Sequence, residues 1–237
     1  MNPYEKLINR KRKWTPVQTT AGTCKQGAEE AIHRALALRH MELPVGDFIT
    51  DALSSEVPSN ARELLYSNVL DEENHDVALG YIANAYGVDE KAEKEALRLK
   101  AAWETHPDHT ITKALVAERA IFFVLLPFFR FNGDAGMRTV SADISRDEQI
   151  HVATNSLVHT ELGYNISPSL DKLRKATINW VMQPLGSHAD KYLDKKFWLD
   201  SSDRLMYEGK APELAATRAA RMPAFFEHAN TNLPQYA

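Results

Sequence analysis

The sequence predicts an all-α protein built on a four-helix bundle with additional C-terminal helices. Only ten of the 237 residues are glycine, and long segments are dominated by Ala, Leu, Glu, Lys and Arg, which favour helix. No segment alternates apolar and polar residues as a half-buried strand does. Because no linker rich in Gly, Ser or Pro divides the chain, we expect an N-terminal arm over residues 1–22, one helical domain over 23–229 and a flexible tail over 230–237.

Capping residues and prolines predict the first two helices. The first covers residues 23–42, because Pro44 disfavours helical geometry in the residue before it. The second covers residues 59–86, since Ser59 is a suitable N-cap and Gly87 follows the last helical residue. We expect these two segments to form the first helical hairpin of the bundle.

The next three helices differ in their polarity. A helix over residues 89–104 carries enough Lys and Glu to be a solvated outer element. The helix over 112–131 is apolar nearly all round, which places it at the centre of the bundle, and Pro127 is expected to kink its last turns. A long helix over 137–162 returns after a short turn.

The C-terminal part of the chain predicts additional helices. Ser167 and Pro168 are the residue types preferred at the N-cap and at the first helical position, so another helix starts there. Two further helical stretches are predicted over residues 186–196 and 212–228. These elements lie outside the four helices that would form the bundle.

Composition excludes several classes of function. The 28 basic and 32 acidic residues give a net charge of −4, so no overall positive field attracts nucleic acid or an anionic membrane. The single cysteine, Cys24, excludes an internal disulfide and every Cys-rich zinc site. The basic run over residues 6–13 is followed by no apolar segment, and the longest apolar stretch, 120–129, is too short to span a bilayer. We therefore expect a cytoplasmic protein and interpret the basic run as a solvated face.

Two similar motifs are candidates for metal binding. The runs Asp-Glu-Glu-Asn-His at 71–75 and Asp-Glu-Gln-Ile-His at 147–151 each contain Glu-x-x-His on a predicted helix. Residues three apart share one face of a helix, so the carboxylate and the imidazole project together. Two such faces that meet across a bundle can hold two metal ions. The predicted ligands are Glu72, His75, Glu148 and His151.

A site for two metal ions requires one further carboxylate from each of the other two helices. Glu118 is the first candidate, because it is the only acidic residue in the apolar segment 111–129 and would be costly to bury without a cation. The second carboxylate must come from the first helix. Three residues compete for that role, namely Glu29, Glu30 and Glu42.

Spacing favours Glu42 as the ligand from the first helix. Glu118 precedes Glu148 by 30 residues, and Glu42 precedes Glu72 by the same number. The two halves of the site are then offset by 76 residues throughout. Position along the helix argues the other way, because Pro44 puts Glu42 on the last predicted turn whereas the two earlier glutamates lie well inside. We predict Glu42 and keep the earlier pair as alternatives.

The run from Ile144 to His151 resembles the fourth-ligand helix of ribonucleotide reductase small subunits, which belong to the ferritin-like dimetal carboxylate superfamily. Phe122 follows Glu118 by one turn, and Ile144 precedes Glu148 by one turn. That family places apolar residues at these positions, where they line the oxygen pocket. The resemblance implies a ferritin-like four-helix bundle core and a cofactor of two iron ions, or of one manganese and one iron.

The resemblance also implies roles for individual residues. Asp147 would accept a hydrogen bond from His75 and fix the tautomer of that imidazole. The residues implied to act in catalysis are Glu118, Phe122, Ile144 and Asp147. The implied bridging ligands are Glu72 and Glu148, and the implied terminal ligands are Glu42 and Glu118.

Three features depart from the pattern of the small subunits. Leu79 stands four residues after His75, where that family carries a radical-forming Tyr. Glu118 follows Glu72 by only 46 residues, so helices that the family inserts there are missing. The residues around Trp14 do not match those around the family's electron-transfer Trp, and the sequence assigns Trp14 no role.

The leading functional prediction is a dimetal oxidoreductase that activates dioxygen to oxidise a small or acyl substrate. The Leu in place of the radical Tyr favours two-electron chemistry over storage of a tyrosyl radical. An electron-donor protein and a homodimer are the expected partners, with no nucleic acid and no membrane. One alternative is a Tyr-less small subunit that binds a large subunit through its C-terminal tail and Tyr236. Another is a ferritin-like ferroxidase or iron-storage protein.

Overall fold

The computed structural model describes residues 2–55 and 57–215, and this part of the chain contains helices and no strand. The prediction of an all-α protein is confirmed. The α-helices are α1 (Pro3–Ile8), α2 (Glu29–Ala37), α3 (Glu42–Leu53), α4 (Arg62–Tyr86), α5 (Glu90–Glu104), α6 (Thr110–Ala117), α7 (Phe123–Asn132), α8 (Ala135–Glu161), α9 (Pro168–Met182) and α10 (Lys195–Glu208).

Four helical rods form the bundle. The first rod is α2, the 3-10 turn Leu38–Met41 and α3, and the second is α4. The third is α6, the π turn Glu118–Phe122 and α7, and the fourth is α8. The first and the fourth rods each pack against both the second and the third, so the four enclose a common interior. The third rod is almost entirely buried, as its apolar sequence predicts.

The remaining helices cover the outside of the bundle. The charge-rich α5 connects the second rod to the third and packs against α2 and the adjoining 3-10 turn. The C-terminal helices α9 and α10 pack against each other and against the third rod, while α1 contacts α4 and α8. None of the helices between residues 2 and 215, Glu56 aside, is long and apolar enough to cross a membrane.

The predicted end of the first helix at Glu42 is wrong. The chain continues through Pro44 to Leu53, because the 3-10 turn Leu38–Met41 interrupts the hydrogen-bond pattern and a new helix begins at Glu42. Pro44 then lies in the first turn of α3, where a backbone N–H has no partner within the helix and its absence costs little. Glu42 therefore lies within a long helical rod and not at its end.

Other helix termini agree with the sequence. Gly87 follows α4 with φ of +97°, a backbone conformation that favours glycine. The side chain of Asp89 accepts a hydrogen bond from the Ala92 N–H and caps α5. The Ser167 side chain caps α9, whose first residue is Pro168. These boundaries were predictable because each depends on a local capping contact.

The predicted helix over residues 186–196 is wrong. A 3-10 turn covers Lys191–Leu193, and α10 begins only at Lys195, because the side chain of Asp194 accepts a hydrogen bond from the Phe197 N–H and acts as its N-cap. Of the stretch predicted over 212–228, the described residues contain the 3-10 turn Pro212–Leu214. The remainder of that stretch and the predicted tail over 230–237 lie outside the described residues.

The π turn of the third rod is held by a helix from outside the bundle. The Ser202 hydroxyl on α10 donates a 2.7 Å hydrogen bond to the carbonyl of Ala120, inside the π turn. Arg174, almost fully buried on α9, donates in turn to the Ser202 oxygen at 2.6 Å. The C-terminal helices therefore contact the backbone of the π turn two residues after Glu118. Pro127, where a kink was predicted, lies further along inside α7.

Candidate metal centre

A cluster of carboxylates and imidazoles occupies the middle of the bundle. All four rods contribute to it, and every member is at most 2 % exposed. The members are Glu42 from the first rod, Glu72 and His75 from the second, Glu118 from the third, and Glu148 and His151 from the fourth. The structure thus brings together the six residues that the sequence predicted as ligands. Glu29 and Glu30 are exposed in the first turn of α2, outside the cluster.

Local helix geometry explains how these side chains converge. The Glu and His of each Glu-x-x-His motif project from one face of α4 or α8, and the two faces meet across the bundle. Glu42 stands where the 3-10 turn passes into α3, and Glu118 is the first residue of the π turn. π turns inside helices are rare and are frequent at functional sites. Both carboxylates outside the motifs therefore lie at interruptions of a rod.

One half of the cluster surrounds the His75 ring. Its Nδ1 atom lies 3.3 Å from Oε2 of Glu72 and 3.3 Å from Oε1 of Glu148. Oε2 of Glu42 lies 3.7 Å from the same nitrogen. Three carboxylates and one imidazole nitrogen thus face a common point.

The other half surrounds His151. Its Nδ1 atom lies 2.9 Å from Oε1 of Glu72, outside hydrogen-bonding geometry, and 3.8 Å from Oε2 of Glu148. Oε1 of Glu118 is also 3.8 Å away. Since one oxygen of Glu72 and one of Glu148 face each histidine, these two carboxylates span both halves. The two imidazole rings are 5.6 Å apart between centroids.

The outer nitrogen of each histidine is held by an aspartate of the opposite motif. Nε2 of His75 lies 3.4 Å from Oδ2 of Asp147, the contact that the family resemblance implied. Nε2 of His151 lies 2.9 Å from Oδ2 of Asp71. An aspartate that accepts the Nε2 proton leaves the Nδ1 lone pair free to face the cluster. Asp71 was not predicted as a functional residue, although its 76-residue offset from Asp147 is the signal that identifies it.

The donor atoms of the cluster fit metal ions. Buried polar atoms normally have hydrogen-bond partners, and orphaned ones are costly. Eight atoms that face the interior of this cluster have none: Oε2 of Glu42, both carboxylate oxygens of Glu72 and of Glu148, Oε1 of Glu118, and Nδ1 of His75 and of His151. A set of carboxylate oxygens and imidazole nitrogens suits iron, manganese or zinc. The cluster is therefore compatible with a site for two metal ions.

Protons take the place of cations when the cluster holds no metal. Burial raises the pKa of Glu42 and of Glu118 well above the usual range. Burial opposes the charged form of His151, but the negative charges of Glu148 and Glu72 outweigh it and raise the pKa of this imidazole to about 10. Metal binding must displace such protons, so it depends on pH.

We expect the metal-free protein to lose stability as the pH rises from about 5 to 9. Folding raises the pKa values of Glu42, Glu118 and Glu148 above the ordinary 4.5. The folded protein therefore binds these protons more tightly than the unfolded chain, which stabilises it fully below pH 4.5. This stabilisation is lost as the pH rises through the folded-state pKa values. The contribution of His151 is complete below 6.5 and is lost on approach to about 10. The lowered pKa of Glu72 opposes this trend only in acid.

Urea unfolding in the presence of a chelator at pH 5, 7 and 9 measures this effect. The metal-loaded protein serves as the control, because metal ions replace the protons and should flatten the fall in the free energy of unfolding. A metal-free protein that becomes more stable between pH 5 and pH 9 would contradict the expected protonation of the cluster.

Apolar residues adjoin the ligands along the rods. Phe122 ends the π turn one turn after Glu118, and Ile144 lies one turn before Glu148; both are buried in the core. These are the two positions that the resemblance assigned to an oxygen pocket. Leu79, one turn after His75, is also buried.

Asn155 is a functional candidate that the sequence analysis missed. Its side-chain amide donates a 2.6 Å hydrogen bond to Oε2 of Glu118, and the residue is fully buried. Asn155 follows His151 by four residues, so it shares the ligand face of α8. A polar residue on that face was the available signal.

The N-terminal arm also reaches the cluster, which corrects the interpretation of its basic run as a solvated face. Nε1 of Trp14 lies 2.5 Å from Oδ2 of Asp147, and the indole ring stacks 6.2 Å from the His75 ring. Lys11 and Arg12 from the basic run are partly buried and pair with Asp71 and Asp147 respectively. Sequence periodicity cannot link a segment of irregular chain to helices more than 50 residues away.

The chain was compared with three groups of known proteins. The chain has no significant match among protein-family models, curated proteins or solved structures. What the described residues provide is a buried group of two glutamates and two histidines, Glu72, His75, Glu148 and His151, whose donor atoms lie within 4.8 Å of one another. An aspartate faces the outer nitrogen of each histidine. This group can hold metal ions.

Proposed function

We propose that the protein is a non-haem dimetal oxidoreductase, with two iron ions or one manganese and one iron, that activates dioxygen to oxidise a small or acyl substrate. The observation that carries this proposal is the set of eight unpartnered donor atoms directed into one buried space. The pairing of Glu72 and Glu148 with both histidines supports two adjacent ions rather than one. The resemblance to ribonucleotide reductase small subunits adds the choice of metals.

The carboxylate-rich ligand set is suited to oxidation chemistry. Hard oxygen donors with only two imidazoles favour iron or manganese, which when bound supply the electrons that dioxygen activation requires. Asp71 and Asp147 would hold the two imidazoles in the binding orientation. Phe122 and Ile144 would keep water from the site, so that a reactive oxidant meets the substrate first.

Leu79 supports direct oxidation of a substrate. It is buried one turn after His75, at the position where the small subunits carry a radical-forming Tyr. A leucine side chain cannot store an oxidising equivalent as a phenoxyl radical. Two-electron oxidation of a bound small molecule or acyl chain is therefore favoured over radical storage.

Trp14 supports a protein partner that delivers electrons. Its indole is half-buried and is connected to His75 through Asp147 by two polar contacts. This chain of contacts links the protein surface to one half of the cluster. An electron-donor protein that binds near the N-terminal arm would use this route, whether the oxidoreductase is a monomer or a homodimer.

The same contacts favour a second candidate, a Tyr-less ribonucleotide reductase small subunit. Trp14 is the residue type that this family uses for electron transfer, although Leu79 and the short interval between Glu72 and Glu118 do not match the family. Deletion of residues 230–237 discriminates the two candidates. If the deletion abolishes activity with a large subunit while metal binding is retained, the second candidate is correct.

Oxygen consumption tests the leading proposal. Protein loaded anaerobically with two equivalents of Fe(II), or one each of Mn(II) and Fe(II), is expected to consume dioxygen rapidly when it is mixed with aerated buffer. The matched control is Glu148→Gln, which keeps the shape of the side chain and removes a charge that faces both histidines. Equal oxygen uptake by the two proteins at equal metal loading would reject the proposal.

A further inference from the structure

The N-terminal arm is fixed against the bundle before it reaches the metal centre. Tyr4 and Leu7 of α1 are buried, and the Tyr4 hydroxyl donates a 2.9 Å hydrogen bond to Glu161 at the end of α8. The segment Lys11–Trp14 then lies over the two aspartates that hold the histidines. Its contacts therefore come from an anchored part of the chain.

Lys11 contacts the aspartate behind His151. Its ammonium group donates to Oδ2 of Asp71 and, at 3.0 Å, to Oδ1 of Asn68. Oδ2 of Asp71 is the same atom that faces Nε2 of His151. The lysine side chain is 11 % exposed, so this pair is largely screened from water. One carboxylate oxygen thus joins the N-terminal arm to a histidine of the cluster.

The other aspartate has a different neighbour from the same segment. Oδ2 of Asp147 faces both His75 and the indole N–H of Trp14. Arg12 approaches Oδ1 of the same carboxylate only at 3.8 Å and also pairs with the more exposed Asp143. The two halves of the cluster therefore differ in what holds their aspartates: an ammonium on the His151 side and an indole on the His75 side.

The charges around the cluster indicate what Lys11 contributes. The four glutamates and two aspartates carry six negative charges when all are ionised, whereas two divalent ions supply four positive charges. Lys11 and Arg12 supply the remaining two. A buried carboxylate without a cation is costly. If Lys11 were removed, Asp71 would lose the cation that keeps it buried beside His151.

We propose that Lys11 is a positioning residue for the metal position formed by Glu118 and His151, and that it acts through Asp71. This inference rests on the proposed dimetal function. Lys11 holds the Asp71 carboxylate against Nε2 of His151, which keeps Nδ1 of that ring directed at the ion. Without Lys11, Asp71 is free to turn toward solvent, and the His151 ring loses its orientation. The position formed by Glu42 and His75 does not depend on this contact.

Stepwise titration of the full-length protein with Co(II), followed by calorimetry and by the visible spectrum, tests the proposal. Lys11→Met is expected to lower the affinity of the protein for one of the two ions ten- to 100-fold, the loss typical of residues that orient a metal ligand. The other ion should change by less than about threefold. The spectrum of the remaining ion should match that of Glu118→Gln, which loses a ligand at the same position.

Three further variants separate positioning from a general loss of structure. Lys11→Arg should restore most of the affinity, and Lys13→Met, two residues away at an exposed site, should behave as the wild type. Asp71→Asn should weaken the same ion, and combining it with Lys11→Met should add little, because both changes break one contact. Because Lys11→Met and Asp71→Asn break the same contact from opposite sides, either variant tests the proposal if the other folds poorly.

The outcomes distinguish this inference from the proposed function. Wild-type protein that fails to bind two ions rejects the dimetal function itself. Wild-type protein that binds two ions while Lys11→Met binds both equally well rejects only the role of Lys11. Equal weakening of both ions in Lys11→Met also overturns the proposal, because a general structural defect would then explain the loss.

Discussion

Replacing both His75 and His151 with alanine is expected to abolish metal binding by the protein. Each half of the cluster contains one imidazole whose Nδ1 faces three carboxylates, so the double variant removes the nitrogen donor from both positions. The remaining carboxylates would share buried space without a cation and would take up protons. Metal content after anaerobic loading and desalting measures the effect.

The single variants refine this prediction. His75→Ala and His151→Ala should each mainly lose one ion, whereas Glu72→Ala and Glu148→Ala should weaken both, since each of these glutamates faces both histidines. His188→Ala, at an exposed position outside the cluster, is the control. If the double histidine variant retains two ions per chain, the assignment of the metal centre is wrong.

The second large effect is expected at the ligand from the first rod. Glu42→Gln should selectively weaken the binding of one ion and abolish oxygen consumption by the reduced protein. The side chain is buried 3.7 Å from Nδ1 of His75, and its replacement removes one of the four glutamate charges that balance two divalent ions. Metal content and oxygen uptake, measured on the same preparation, report both consequences.

Glu29→Gln and Glu30→Gln are the matched controls. Both residues are exposed in the first turn of α2, and each substitution should change the free energy of unfolding by no more than about 0.5 kcal/mol. Neither should alter the metal content. A filled site in Glu42→Gln together with an empty one in either control would show that the 76-residue offset is not a feature of the site.

The sequence predicts the parts of this protein that depend on local patterns. Helix type, most termini and the two Glu-x-x-His faces follow from periodicity and capping, so α4, α5, α8 and α9 agree with expectation. Glu118 was predicted as the only acidic residue of an apolar segment, and Glu42 from the repeat of spacings between the halves; both are buried in the cluster. Their role as metal ligands stays a prediction.

Other features depend on contacts that no local pattern encodes. Pro44 usually ends a helix, but here the preceding 3-10 turn puts it in a first turn, where it is tolerated. The contacts of Lys11 and Trp14 with α4 and α8 depend on how the arm folds back over the bundle. The helix α10 begins later than predicted, at Lys195, where the side chain of Asp194 acts as the N-cap.

We propose that two metal ions lie side by side between the four rods. Crystals of the metal-loaded protein, measured at the absorption edge of the bound metal, test this claim most directly. We predict two anomalous peaks, one beside Nδ1 of His75 and one beside Nδ1 of His151, with Glu72 and Glu148 contacting both. A single peak, or none at the cluster in protein shown to contain metal, would contradict the account.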